Sequence, residues 1–259
     1  IHFALLVCRV GFIGIMRGVD IQLALAMAAK READGIDFEN HKLINPGPLQ
    51  NLDKGFDVYA TQAFNALDGK AYEISWVGLP DITYPTDDEN WANCLSQVKE
   101  LTIKNGQLIQ KPVKSMASLH KNEKDVADQV VSENAGQQYE LELTIKAGQK
   151  GNLYLAANDD LSSGLKISFD TKNGQLILDR SIAGQKVAVD YGENRTAPLQ
   201  PDSDVKLNIY IDHSLIEIFV NDGENVLTGR YFADQAHSKI AFDKKINFNG
   251  KLWNMKTIL

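Results

Sequence analysis

Residues 55–64 read GFDVYATQAF, and three further motifs follow: ISWVGLPD at 74–81, YPTDDENW at 84–91 and KELTIKNGQLIQKPV at 99–113. From residue 55 onward, apolar and polar residues alternate in short runs that end at Gly, Asn, Asp or Pro. Alternation is typical of β-strands with one buried face, and the bounding residues favour turns. The chain is therefore predicted to be mostly β-sheet.

The C-terminal half repeats this pattern. Its clearest runs are Glu140–Ile145, Leu153–Ala157, Lys166–Phe169, Gln175–Leu178, Leu207–Ile211 and Leu215–Val220. The last two runs are predicted to be neighbouring antiparallel strands. Asn221, Asp222 and Gly223 follow, and all three residue types tolerate a positive φ angle in a turn. Glu217, a lone carboxylate within the last strand, is interpreted as a solvent-facing or paired residue and not as a catalyst.

Composition and charge exclude several classes of partner. The chain has 259 residues, of which 44% are hydrophobic and 24% charged, enough for one large core or two modest ones. Its 27 basic and 34 acidic residues give a net charge of -7, which would repel a phosphate backbone. Nucleic acid is therefore not an expected partner.

Cysteine and histidine usage points to a protein without structural disulfides or metal. The two cysteines, Cys8 and Cys94, are too few for a disulfide framework, and the five histidines are scattered singly. Neither residue type shows the spacing of a zinc site. A reduced, cytoplasmic environment and no bound metal are predicted.

The order of the motifs resembles that of the bacterial invertases and sucrose-6-phosphate hydrolases, which are β-fructofuranosidases. The matching residues are Gly55-Phe56-Asp57, Tyr59-Ala60, Trp76, Gly78-Leu79-Pro80-Asp81, Tyr84-Pro85-Thr86-Asp87, Trp91, Cys94, Lys99-Glu100-Leu101 and Asn105-Gly106. A second stretch, DHSLIEIFVNDG at 212–223, resembles a strand and turn of the β-sandwich that follows the catalytic domain in this family.

The resemblance implies an all-β fold in two parts. The last blades of a five-bladed β-propeller are expected at about 37–112, and a C-terminal β-sandwich at 130–259. The segment between them, 113–129, follows Pro112 and is charged and poor in alternation. It is predicted to be a linker with helical character.

Residues 1–36 show no recognisable match to the family. Arg9 and Arg17 interrupt the apolar run, and no cleavage site follows it, which disfavours a membrane anchor or signal sequence. Two interpretations stay open: a helix from Ile21 to Ala33 capped by Asp20, and a translated sequence that departs from the ancestral frame. Because the chain begins with isoleucine inside an apolar run, it is expected to be the C-terminal part of a longer protein.

The resemblance also defines the chemistry that the chain would need. Hydrolysis of a fructosyl bond with retention uses two carboxyl groups about 5 Å apart, one as nucleophile and one as proton donor. In the family these come from Asn-Asp-Pro and Glu-Cys motifs, and a further Asp stands in Arg-Asp-Pro. None of these motifs occurs here, and Cys8 is preceded by Val7. No catalytic residue and no independent activity are expected, and the resemblance implies no metal or organic cofactor.

Three residues are predicted to remain from the sugar-binding site. Tyr59 and Trp76 match family positions near the active-site funnel, and aromatic faces stack on the C–H surfaces of sugars. Without the resemblance, both rings would be interpreted as core. Asp57 is predicted either to accept hydrogen bonds from a sugar hydroxyl or to fix the local turn.

Two other positions are interpreted as structural. Trp91 is left outside the site, because a loop tryptophan usually packs across a neighbouring blade or domain face. Where bacterial relatives carry Pro-Arg-Glu, this chain has Val98-Lys99-Glu100. Lysine keeps the positive charge but lacks arginine's planar fork, which is expected to weaken a fixed pairing with a carboxylate.

Two functions are consistent with these observations. The first is the C-terminal portion of a cytoplasmic β-fructofuranosidase whose small-molecule substrate is sucrose or sucrose 6-phosphate, with no membrane partner. The second is a non-catalytic carbohydrate-binding or interaction module, in which the sandwich holds glycans or a partner subunit. Sugar binding without turnover would favour the second.

Overall fold

The computed structural model describes residues 35–37, 39–40, 42–44, 51–105 and 107–257. The helix predicted at Ile21–Ala33 lies outside the described residues. The first described strands are β1 (Gly35–Asp37) and β2 (Lys42–Ile44), which form a short antiparallel hairpin. Within the described part of the chain, no helix is long and apolar enough to cross a membrane.

Five strands form an antiparallel sheet that is called the blade below. They are β3 (Val58–Asn65), β4 (Ala71–Val77), β5 (Cys94–Leu95), β6 (Lys99–Lys104) and β7 (Gln107–Pro112). The order across the sheet is β3-β4-β6-β7, and β5 pairs with β4 beside β6. A 3-10 helix at Pro85–Glu89 lies in the loop between β4 and β5. This up-and-down order is that of a propeller blade.

The remaining strands form two sheets of six that pack face to face. They are β8 (His120–Val126), β9 (Val130–Ser132), β10 (Gln138–Ile145), β11 (Lys150–Ala157), β12 (Leu165–Asp170), β13 (Gln175–Asp179), β14 (Asn194–Pro198), β15 (Val205–Asp212), β16 (Leu215–Val220), β17 (Asn225–Arg230), β18 (Lys239–Phe242) and β19 (Phe248–Met255). The first sheet has the order β17-β16-β15-β10-β19-β8, and the second has the order β14-β13-β12-β11-β18-β9.

The alternation in the sequence places the core between these two sheets. In β10, Leu141, Leu143 and Ile145 join one continuous hydrophobic cluster, whereas Glu140 and Glu142 point to the opposite face of the sheet. All six predicted runs lie within strands, and β15 and β16 are antiparallel neighbours as predicted. The predicted all-β fold, with propeller strands followed by a sandwich, is confirmed.

The segment that connects the two parts is shorter than the predicted linker. Lys114–Leu119 forms a 3-10 helix, but the residues after it are β8, an edge strand that pairs with β19. The sequence of β8, HKNEKDV, is strongly charged, which protects an exposed edge from pairing with another chain. Because its sequence is charged, β8 lacks the apolar alternation by which the other strands were predicted. The sandwich therefore begins at β8 and not at about residue 130.

Candidate functional site

Two of the three predicted site residues lie side by side on the blade. Tyr59 of β3 is directly opposite Trp76 of β4, so both side chains are on the same face. Their ring centroids are 6.3 Å apart at an interplanar angle of 76°, an edge-to-face contact. Tyr59 is 39% exposed and Trp76 is 41% exposed. In the described residues, the two rings form an open aromatic surface and not a packed core.

The backbone beside this aromatic pair is irregular. The pairing of β3 with β4 shifts register between Tyr59 and Gln62, and Ala60 has a φ angle of 45°. A non-glycine residue rarely takes a positive φ, and β-bulges of this kind redirect side chains next to functional sites. Only the pairs Val58–Val77 and Tyr59–Trp76 lie on the N-terminal side of the bulge. The position of Tyr59 therefore depends on what holds the chain before β3.

A cavity lies beside the blade, and its lining does not include Tyr59 or Trp76. Leu95 of β5 lies opposite Trp76 and leads to this cavity of about 880 Å³ between the blade and the sandwich. The lining combines the rings of Trp91 and Phe232 with carboxylates and carboxamides, which include Glu89, Gln137, Gln185, Asp212, Asp234 and Gln235. This mixture suits the C–H faces and the hydroxyl groups of a sugar.

The third predicted residue, Asp57, is turned towards the sandwich. Its side chain is fully buried, and Oδ2 accepts hydrogen bonds from Nη1 of Arg180 at 2.8 Å and from the backbone N of Arg230 at 2.7 Å. Of its two predicted roles, this geometry supports the fixing of the local chain. Oδ1 of Asp57 is also closed to solvent, so a sugar hydroxyl cannot reach this carboxylate while the segment around it stays docked on the sandwich.

Residues 53–57 dock along the edge strand β17 of the sandwich. The backbone N atoms of Lys54 and Phe56 donate to β17 carbonyl oxygens at 2.7 and 2.8 Å. Gly55 lies so close to this strand that a Cβ atom would be 2.0 Å from the carbonyl oxygen of Thr228. The segment is thus hydrogen-bonded along the edge of the first sheet without forming a regular strand, and it then continues into β3.

Three arginines of the sandwich hold this segment, and they are called the arginine clamp below: Arg180, Arg195 and Arg230. The guanidinium of Arg180 lies 3.9 Å from the centre of the Phe56 ring, and that of Arg195 lies 4.6 Å from it. Nε of Arg195 also donates to the carbonyl oxygen of Gly55 at 3.1 Å. The motif Gly55-Phe56-Asp57 is therefore a docking motif, in which each residue contacts the sandwich.

A buried ion pair makes a second contact between the blade and the sandwich. Nζ of Lys99 in β6 lies 3.2 Å from Oε1 of Glu217 in β16, and both side chains are almost completely buried. Oε2 of Glu217 accepts a hydrogen bond from the backbone N of Gln97 at 2.9 Å. Burial acts to lower the pKa of Lys99, but the carboxylates of Glu217, Glu73 and Asp53 raise it above its ordinary value. Of the two interpretations of Glu217, solvent-facing or paired, the structure shows the paired one.

Asp53 is a further buried carboxyl of this network. Its Oδ1 accepts hydrogen bonds from the backbone N atoms of Gly55 at 2.6 Å and Thr228 at 3.0 Å, and its Oδ2 is closed to solvent. Burial raises the pKa of Asp53 from 3.8 to about 6, although Lys99 and these hydrogen bonds act in the opposite direction. This carboxyl lies at the junction and not at the aromatic surface.

The turn after β16 also approaches the blade. Asn221, Asp222 and Gly223 have φ angles of 50°, 61° and 96°, as predicted for this turn. A Cβ atom on Gly223 would be 2.0 Å from the carbonyl oxygen of Gln110 in β7. Both stretches of sequence that carry the family resemblance therefore meet at the junction between the blade and the sandwich.

Trp91 belongs to this junction and not to the aromatic surface around Trp76. The guanidinium of Arg230 lies 5.2 Å from the Trp91 ring, and its Nη1 donates to the carbonyl oxygen of Ala92 at 2.9 Å. The same guanidinium lies 5.3 Å from the ring of Tyr84. The packing of Trp91 across a domain face agrees with the interpretation from sequence.

Sequence reasoning missed the charged residues of the junction. These are Asp53, Glu73, Arg180, Arg195 and Arg230. The local sequence gave one indication: Arg230 directly follows the strand residues NVLTG and precedes Tyr231. An arginine that is buried at such a position requires hydrogen-bond acceptors from elsewhere in the fold. Among the described residues, no group of three or more His, Cys, Asp or Glu side chains could hold a metal ion.

Comparison with protein families gives two matches that overlap at residues 105–112. The model for the C-terminal domain of glycosyl hydrolases family 32 matches residues 105–254, and the model for the N-terminal domain of the same family matches residues 26–112. The second match begins inside the segment 1–36, so the similarity starts earlier than the sequence motifs indicated.

Individual relatives are similar over most of this chain. Sucrose-6-phosphate hydrolase from Streptococcus mutans is 44% identical over 204 residues, which are 79% of this chain and 42% of the relative. The structure of sucrose-6-phosphate hydrolase from Lactobacillus gasseri is 52% identical with a TM-score of 0.84, over 88% of this chain and 47% of the other. A Bombyx mori β-fructofuranosidase shares the fold at 22% identity and a TM-score of 0.71. The chain spans less than half the length of each of these proteins.

Proposed function

Since this chain belongs to glycosyl hydrolase family 32, we propose that it forms the C-terminal portion of a β-fructofuranosidase that hydrolyses sucrose or sucrose 6-phosphate. Tyr59 and Trp76 are part of its sugar-binding site. The observation that carries this assignment is the exposed edge-to-face pair on the blade. The similarity to sucrose-6-phosphate hydrolases supports the class of reaction.

The contribution of this chain is to bind and orient the substrate. Stacking of a sugar ring on exposed aromatic faces fixes its position, because C–H groups on one sugar face contact the ring while the hydroxyl groups remain free for hydrogen bonds. Retaining hydrolysis needs two carboxyl groups, and the motifs that supply them in the family are absent from this sequence. No catalytic residue is therefore assigned to the chain.

A cytoplasmic location and a small-molecule sugar partner complete the proposal. The sequence contains two cysteines, and the thiol of Cys94 is free. Burial raises the pKa of this thiol, so it is less reactive than an exposed cysteine. These features support a reducing compartment.

A chimera tests the proposal. The part of the Streptococcus mutans relative that this chain does not match would be joined to residues 37–259, and release of sugar from sucrose and from sucrose 6-phosphate would be measured. We expect the chimera to hydrolyse one of them and the 259-residue chain to hydrolyse neither. Trp76→Ala in the chimera should raise KM about tenfold, a loss of about 1.4 kcal/mol in binding.

Three outcomes would change the proposal. A folded chimera that is inactive and binds neither sugar would overturn it. Hydrolysis by the 259-residue chain alone would show that catalytic residues had been missed. Sugar binding by the folded chimera without turnover would favour the carbohydrate-binding module.

A further inference from the structure

The structure assigns a second role to the arginine clamp: its residues are positioning residues for the sugar-binding pair Tyr59 and Trp76, and they act through residues 55–57. This inference rests on the proposed function because it takes these two rings as the sugar site. The clamp itself lies in the sandwich and touches neither ring in the described contacts, so its effect on the sugar site is indirect.

A short path along the chain connects the clamp to the rings. Only Val58 separates Asp57, which is bound to the clamp, from Tyr59. The carbonyl oxygen of Asp57 also accepts a hydrogen bond at 2.8 Å from the backbone N of Gly78, which follows Trp76 by two positions. Both strands that carry the rings are therefore fixed at Asp57.

The pairing of β3 with β4 is interrupted on the C-terminal side of Tyr59. Because the register of β3 and β4 shifts after Tyr59, the regular ladder that resumes at Gln62 does not continue through the rings. On the N-terminal side of this shift, β3 forms two residue pairs with β4, and the docked segment lies directly before them. Displacement of the docked segment is therefore expected to move Tyr59 relative to Trp76.

The clamp itself is held by buried, charge-assisted hydrogen bonds. Nη1 of Arg180 donates both to Asp57 Oδ2 at 2.8 Å and to the carbonyl oxygen of Arg230 at 2.9 Å. Asp57, Arg180 and Arg230 are all buried, so removal of the guanidinium would leave a carboxylate without its cation in a site that excludes water. The chain can relieve this cost by moving Asp57 out of its position, which also moves the start of β3.

The experiment labels the three tryptophans of the 259-residue chain with 5-fluorotryptophan and assigns the signals with Trp→Phe variants. In Arg180→Gln, we expect the 19F signal of Trp76 to shift or broaden while that of Trp253 stays unchanged. Asp57→Asn is a milder second variant, because the amide oxygen can still accept the hydrogen bond from the backbone N of Arg230.

Glu140→Gln is a matched control within the sandwich. Glu140 is buried and pairs with His120, whose ring stacks on Trp253 with centroids 4.5 Å apart. This variant should therefore perturb the signal of Trp253 and leave that of Trp76 unchanged. If Arg180→Gln changes only the signal of Trp76 and Glu140→Gln changes only that of Trp253, the clamp positions the rings. A general loss of stability in the sandwich would instead change both signals in both variants.

Sugar affinity completes the test. We expect Arg180→Gln to weaken sugar binding about tenfold and Arg180→Lys to restore part of it, with Glu140→Gln unchanged. An unchanged Trp76 signal in both Arg180→Gln and Asp57→Asn would overturn the inference, and so would an equal shift of this signal in Glu140→Gln. If the wild-type chain binds no sugar, the proposed function loses support, but the 19F comparison still decides whether the clamp positions the rings.

Discussion

The sandwich and the blade are both built from short antiparallel strands, but different interactions hold them together. One continuous hydrophobic cluster fills the space between the two sheets of the sandwich. In the described part of the blade, the corresponding cluster consists of Leu101 and Leu108, with smaller contributions from Leu52, Ala63 and Ala71. Several buried side chains of the blade are polar instead: Thr61, Glu73, Ser75, Ser96, Lys99 and Gln110.

This difference indicates that the blade depends on its attachment to the sandwich. A fully buried leucine contributes about 1.5–3 kcal/mol, whereas ordering each residue costs about 1–2 kcal/mol in backbone entropy alone. Four aliphatic side chains are buried in the described strands of the blade (Val77, Leu101, Leu108 and Ile109), and they cannot offset that cost over five strands. The docked segment 53–57, the Lys99–Glu217 pair and the approach of Gly223 to β7 supply further interactions.

The largest effect should come from the core of the sandwich. Phe242 is fully buried and contacts the rings of Phe169 and Phe248. Phe242→Ala should lower the free energy of unfolding by about 3–5 kcal/mol, because it leaves a large cavity. Urea denaturation should show the blade and the sandwich unfolding together. The control Leu67→Ala removes a fully exposed side chain and should change stability by less than about 0.5 kcal/mol.

The next largest effect should come from the buried ion pair. Lys99→Met removes the cation beside Glu217 and Glu73 and should lower the stability of the blade by about 3 kcal/mol. Urea denaturation followed by far-ultraviolet circular dichroism and by the fluorescence of Trp76 should give separate transitions. Lys99→Arg is the matched control, since it keeps the charge. Coincident transitions in Lys99→Met would contradict a separate weakening of the blade.

A smaller, pH-dependent effect is expected from Asp53. Because the pKa of Asp53 is raised from 3.8 to about 6, the folded chain keeps a proton that the unfolded chain has released. The contribution of this group to the free energy of unfolding should therefore fall from about pH 4 to about pH 6 and then level off. The urea midpoint of unfolding would be measured for wild type and for Asp53→Asn at several pH values. The difference between the two midpoints should change between about pH 4 and about pH 6. Parallel curves would show that Asp53 does not titrate there.

The smallest effect on stability should come from the aromatic surface. Trp76→Ala removes a side chain that is 41% exposed and makes one edge-to-face contact with Tyr59, so the free energy of unfolding should fall by only about 1 kcal/mol. Calorimetry would measure the melting temperature. A loss above about 2 kcal/mol would mean that the ring serves as core, the interpretation that the sequence alone favoured.

The strands were predictable wherever their signal was local. The run Leu215–Val220 coincides with β16, because alternation and the Asn-Asp-Gly turn define its ends within a few residues. Charge hid β8, whose role as an edge strand depends on its neighbour β19. The exposed pair Tyr59 and Trp76 came from the family resemblance, since alternation fits a buried or an open face equally well.

The junction was not predictable, because its partners are distant in sequence. Asp57 and Arg180 are separated by 123 positions, and Gln97 and Glu217 by 120. Periodicity describes which residues share a face of one strand, but it does not say which carboxylate meets which cation. For that reason the sequence leaves two roles open for Asp57, a bond to a sugar hydroxyl and the fixing of a local turn, whereas the structure shows each residue of Gly55-Phe56-Asp57 contacting the sandwich.

Hydrogen exchange measured by mass spectrometry on wild type and Lys99→Met tests most directly whether the blade is held by its buried polar attachment to the sandwich. Amides of β3, β4, β6 and β7 should lose protection about 100-fold in the variant, which corresponds to about 3 kcal/mol, while amides of β10 and β15 keep theirs. Equal loss in both regions, or no loss in the blade, would contradict this account.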